Sequence, residues 1–131
     1  MLLFVKEILM AVNILDNLEP KDVWKNFYDI SQIPRCSKHE EKIINYLEKF
    51  AQHHALSYKR DNAGNICIKK SASPGFEKRP GIILQGHVDM VCEKNTTVSF
   101  NFETDPLNLK KEGDWLTAEG TTLGVQTTEL R

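Results

Sequence analysis

The stretch Ile82-Ile83-Leu84-Gln85-Gly86-His87-Val88-Asp89 constrains this chain more than any other. Three consecutive apolar residues predict a short strand over residues 81–86, buried on both faces. Gly86 lets the backbone leave that strand without a Cβ in the way. His87 and Asp89 follow, one residue apart, and in extended chain such residues point to the same side. An imidazole and a carboxylate therefore stand together at the carboxyl end of an expected central strand, where open α/β sheets place their chemistry. A neutral His is a good zinc ligand. A neighbouring carboxylate fixes its tautomer and ring orientation, or ligates a second metal. The triplet alone favours a structural His–Asp pair or unrelated surface groups. Its position behind a buried strand and a glycine is what singles it out.

The flanking pattern supplies helices and hairpins to cover such a strand. Glu19-Pro20-Lys21-Asp22 reads as a helix start, with Pro at the first position and an acid in the first turn. Val23, Trp24, Phe27 and Ile30 recur at helical spacing, with Trp24 and Phe27 as core anchors. Pro34 ends this helix. Ser37-Lys38-His39-Glu40 has the form of a capping box and opens a second helix running to about His54. Its apolar stripe is Ile43, Ile44, Leu47, Phe50 and Ala51. His53 and His54 are adjacent, about 100° apart on a helix, and are read as solvated residues at its C-terminus. Leu56–Arg60 and Asn65–Lys69 predict a hairpin around Asp61-Asn62-Ala63-Gly64. A polar loop leads from Ser71 to Pro80. A second hairpin is expected around Glu112-Gly113-Asp114. The fold class expected is α/β, with helices packed on a mixed sheet.

Residues 1–19 are read as a lead-in to a single domain over 20–131, and Met10 is an alternative start. The opening apolar run lacks a basic n-region and is too short to span a bilayer, which takes about 20 residues. A chain of 131 residues suffices for one core, burying roughly 65–70% of the unfolded surface. Its net charge of −1, with no basic run longer than two, argues against a nucleic-acid or membrane partner. Cys36, Cys67 and Cys92 are odd in number and show no metal spacing. They are expected as free thiols in a reducing cytoplasm, with Cys92 a small semi-buried residue rather than a zinc ligand.

Taken together, Gly86-His87-Val88-Asp89-Met90-Val91 with Glu93-Lys94-Asn95 resembles the first metal motif of the aminoacyl-histidine dipeptidases. These are the cytosolic non-specific dipeptidases among the co-catalytic di-zinc peptidases. Ile33–Glu41 is similar to that family's N-terminal helix entry, and Asp61–Asn65 to its first hairpin. Gly113–Leu116 and Gly120-Thr121-Thr122-Leu123-Gly124 resemble the approach to its second metal motif. The resemblance implies an N-terminal, truncated part of a di-zinc peptidase catalytic domain. It implies His87 as a ligand of one zinc and Asp89 as the acid that orients His87. In the complete enzyme two zincs share a bridging Asp and supply a metal-bound hydroxide to a dipeptide substrate, with a Glu as general base.

The resemblance stops at the tail. Family members continue Thr-Thr-Leu-Gly with Ala-Asp-Asn-Gly, whereas Gly124 is followed here by Val125-Gln126-Thr127 and Gln126 stands at the bridging Asp. A neutral amide cannot bridge two dications. One encoding of Val125–Leu130, GTG CAG ACA ACG GAA TTA, reads Ala-Asp-Asn-Gly-Ile two bases later, which points to a frameshift. Resequencing the coding DNA from codon 120 tests this. With His87 the one firm ligand, and Asp89 and Glu119 weaker candidates, the expectation is at most a weak half-site and negligible activity. Self-association through an uncovered sheet edge is expected as well. The alternative reading is a non-catalytic α/β module that binds a peptide or protein.

Overall fold

The computed structural model describes residue 15, residues 17–123 and residues 128–129. The element order is α1 (Lys21–Ser31), α2 (Glu41–His53), β1 (Ser57–Arg60), β2 (Ile66–Lys69), β3 (Leu109–Glu112), β4 (Trp115–Ala118) and β5 (Thr128–Glu129). The α/β class expected from the pattern holds, but the described residues form no mixed sheet: β1–β2 make one antiparallel sheet and β3–β4–β5 another, because each is built from sequence-adjacent hairpin strands. Of the lead-in 1–19, residues 1–14 and 16 lie outside the described residues, as do the alternative start at Met10 and the departure at Gln126.

Helix α1 forms where the 3.6-residue spacing of Trp24, Phe27 and Tyr28 gives it one apolar face. That face packs on a cluster of Leu15, Met90, Leu107, Leu109 and Leu116. Its first turn follows Pro20, so the proline precedes the helix rather than opening it. Helix α2 buries Ile43, Ile44 and Ala51 and packs against the β1–β2 hairpin. His53 and His54 are exposed at its end, as expected. The hairpin pairs Ser57 with Lys69 and Arg60 with Ile66. Its turn is held by the Asp61 carboxylate, which accepts the backbone N–H groups of Ala63 (3.0 Å) and Asn65 (2.8 Å) and the Asn65 amide (2.9 Å). The second hairpin pairs Leu109 with Ala118 and Glu112 with Trp115. Its two-residue turn, Gly113-Asp114, needs the positive φ of 61° that glycine supplies.

Three further features differ from expectation. First, residues 81–86 form no strand. Ile82, Ile83 and Leu84 are 87, 93 and 93% exposed. No backbone hydrogen bond reaches residues 80–88 from any described residue. A strand buried on both faces needs neighbours along both edges and layers above and below, and the described residues provide neither. Second, Ser37 does not cap α2. Glu40 occupies the N-cap position and its carboxylate accepts the Lys38 N–H at 2.6 Å, while the Ser37 hydroxyl is taken by Asp89. Third, Cys36 and Cys92 are disulfide-bonded, their Cα atoms 5.6 Å apart. A parallel bridge between Cys36 and Met90 brings the two segments to disulfide range. Cys67 alone is a free, exposed cysteine among the described residues.

Regular pairing resumes beyond Asp89, where residues 89–95 run as a seam between two flanking segments. On one side Met90 donates its N–H to Arg35 O (3.0 Å) and accepts from Ser37 N–H (3.3 Å). On the other side Asn95 donates to Gly120 O (2.8 Å) and Thr122 donates to Glu93 O (2.9 Å), around an antiparallel bridge between Lys94 and Thr121. Gly120 is indispensable to this contact. Its φ is +69°, and a Cβ there would sit 2.5 Å from Val98 Cγ2 and 3.4 Å from two further Val98 atoms. Gly120→Ala is expected to lower stability by about 1–3 kcal/mol, since a side chain must both adopt the left-handed region and displace a β-branched neighbour. An unchanged urea midpoint in the variant would contradict this.

Candidate functional site

The site sits where the exposed 80–88 segment joins the seam. There the side chain of His87 meets Asp89, two residues on. His87 Nδ1 lies 2.8 Å from Asp89 Oδ1 and 3.0 Å from Asp89 O. Both partners are acceptors, which assigns the proton to Nδ1. The lone pair is then on Nε2, which has no hydrogen-bond partner among the described residues, on a side chain that is 61% exposed. This is the tautomer and orientation that a carboxylate imposes on a metal-ligating imidazole.

The carboxylate is itself anchored. The Ser37 hydroxyl donates to Asp89 Oδ2 at 2.5 Å, across 52 residues of sequence. The hydroxyl, and after it the His87 ring, holds the Asp89 carboxyl below the usual aspartate range. Asp89 is therefore ionised at neutral pH and acts only as an acceptor. The chain Ser37–Asp89–His87 thus fixes three polar groups in series. Sequence spacing pairs His87 with Asp89, a contact the structure shows, but does not bring in Ser37. The Ser-x-x-Glu spacing pointed to a local cap, and nothing local reveals an acceptor 52 residues away.

Two motifs set apart in the sequence are adjacent in the fold. The Thr122 hydroxyl donates to Val91 O at 2.6 Å and accepts the Glu93 N–H at 3.3 Å. The segment Gly120-Thr121-Thr122 is thereby laid beside Val91–Asn95. Glu119 is not delivered to the site, because Asn108 Nδ2 donates to its carboxylate at 2.5 Å beside β3 and β4. Among the described residues no group of three His, Cys, Asp or Glu side chains comes together in metal-binding geometry. One oriented imidazole is a single donor, short of the three protein ligands that a catalytic zinc takes. The described donor set does not by itself fit a zinc ion. A cleft of about 860 Å³ lies between the entry to α2 and the Asp61 turn, but neither His87 nor Asp89 lines it. No described helix is long and apolar enough to cross a membrane.

No protein-family model matches the chain. A cytosol non-specific dipeptidase of Escherichia coli (strain K12) is 40% identical over 111 residues, 85% of this chain and 23% of that protein. The crystal structure of an aminoacylhistidine dipeptidase from Vibrio alginolyticus matches with a TM-score of 0.81 and 42% identity, covering 84% of this chain and 22% of that one. The chain therefore spans less than a quarter of the length of either relative. In sequence and fold the chain is similar to a fragment of these aminoacylhistidine and cytosol non-specific dipeptidases.

Proposed function

We propose that this chain is the N-terminal part of the catalytic domain of a zinc-dependent cytoplasmic dipeptidase. In that reading His87 ligates one zinc through Nε2, and Asp89 orients the imidazole. The observation that carries it is the fixed Nδ1-protonated tautomer of His87, inside a segment homologous to dipeptidases. The substrates of the complete enzyme are dipeptides, including those with a C-terminal His, with no part for nucleic acid or membrane. When bound, zinc would polarise the peptide carbonyl and activate water. The residues described here contribute a held ring and an ionised acceptor and no more.

Two outcomes are expected of the isolated 131-residue chain. It hydrolyses dipeptides no faster than buffer does, with or without added zinc. It binds zinc weakly, and His87→Ala abolishes that binding. Weak binding that survives His87→Ala would remove His87 from the metal site. Zinc-dependent hydrolysis by the purified chain would refute its inactivity. The second reading, a non-catalytic module for a peptide or protein, draws on the exposed Ile82-Ile83-Leu84 segment. It predicts no response to zinc at all, in the parent chain or the variant.

A further inference from the structure

The Cys36–Cys92 pair lies outside the chemistry proposed above, yet it abuts it on both strands of the seam. Cys36 immediately precedes Ser37, whose hydroxyl holds Asp89. Cys92 lies three residues beyond Asp89 and is packed against the core cluster. Between them run the two backbone hydrogen bonds of Met90, to Arg35 and from Ser37. The polar series Ser37–Asp89–His87 and the covalent bridge therefore fasten the same two segments, which are far apart in sequence. We propose that Ser37 is a positioning residue for the His87 site, and that Cys36–Cys92 is a reversible thiol–disulfide clasp that keeps Ser37 against Asp89. The proposal rests on the reading of His87 and Asp89 as metal-site residues.

The chemistry balances with a low-molecular-weight disulfide as oxidant. The thiolate of one cysteine attacks a sulfur of that disulfide and expels one thiol. The second thiolate then attacks the mixed disulfide at the protein sulfur and expels the other. Two electrons pass from the protein pair to the small disulfide, and the protons of the two protein thiols end on the two small thiols that leave. Disulfides in reducing compartments are usually transient or redox-sensing, so a pair placed against a site residue is suited to switching rather than stapling. With the clasp open, the segment 35–37 is tied to Asp89–Met90 by hydrogen bonds alone. The Ser37 hydroxyl then exchanges with water, and the His87 ring loses its fixed partner.

The test uses the full chain with Cys67→Ser, so that the pair supplies the only thiols. The chain is equilibrated in thiol/disulfide buffers of graded ratio, alkylated and weighed by mass spectrometry. The expected result is a two-thiol to no-thiol transition within that range. Alkylation of both cysteines at every ratio overturns the clasp. In the same samples, the rate at which diethyl pyrocarbonate modifies His87 is divided by the rates for His53 and His54. This ratio is expected to shift between the oxidised and reduced chains. Ser37→Ala in the oxidised chain should reproduce the reduced ratio, and Ser37→Thr should retain the oxidised one. A His87 ratio indifferent to both redox state and Ser37 overturns the positioning role, while leaving zinc binding through His87 free to stand. A ratio that shifts in a chain that binds no zinc keeps the clasp and removes the metal reading instead. The comparison needs no variant of Cys36 or Cys92, so a misfolded mutant does not decide it.

Discussion

Placing lysine on the apolar triplet is expected to convert a self-associating chain into a monomer. In an extended chain Ile82 and Leu84 share one side and Ile83 faces the other. All three are almost wholly exposed. Burying a side chain of this size gains about 1.5–3 kcal/mol, so the triplet leaves roughly 5–9 kcal/mol unrealised per chain. The backbone of residues 80–88 also has no hydrogen-bond partner among the described residues. Exposed apolar side chains beside unpaired N–H and C=O groups form a template for pairing with another chain. The parent chain should therefore show a concentration-dependent mass by light scattering. Ile83→Lys should reduce it, and Ile82→Lys with Leu84→Lys should reduce it further. Neither change removes a contact that holds the fold, because none of the three side chains makes one in the core. A parent chain that stays a monodisperse monomer at high concentration, and melts cooperatively, would sink this prediction.

The same triplet shows which parts of the fold were legible in the sequence. Helix α1, helix α2 and both hairpins came through because their determinants are local. Trp24 and Phe27 lie within one turn of each other, the Asp61 carboxylate bonds Ala63 and Asn65, and Gly113 closes a two-residue turn. Ile82-Ile83-Leu84 carries the pattern of a buried strand just as plainly. A pattern states what a segment needs, and here the described residues supply no neighbour to meet that need. The site divides along the same line. His87 and Asp89 are two residues apart and could be paired from spacing. Ser37 and the Cys36–Cys92 bridge join segments more than 50 residues apart and have no local signal. The odd count and spacing of the cysteines suggest free thiols, whereas the Cys36–Met90 bridge brings Cys36 and Cys92 within disulfide range.

Leu116→Ala carries the largest expected cost to stability. Leu116 is fully buried on β4 and belongs to the cluster with Leu15, Met90, Leu107 and Leu109. Truncating such a leucine costs about 2–5 kcal/mol, the transfer loss plus the cavity left behind. Whole domains hold only about 5–15 kcal/mol, and with few fully buried side chains among the described residues this fold belongs at the low end. The variant is therefore expected to be largely unfolded, or to melt far below the parent. Lys111→Ala is the matched control. Lys111 is the register partner of Leu116 on β3 but is exposed, so its loss should change stability by no more than about 0.5 kcal/mol. The effect should also reach the site. Met90 shares the cluster with Leu116 and follows Asp89 directly, and its N–H bond to Arg35 ties the seam together. Amide exchange at Met90 should accelerate in Leu116→Ala under conditions where Lys111→Ala leaves it unchanged. Equal urea midpoints for the two variants would show that the cluster is not what holds Asp89, and with it His87, in place.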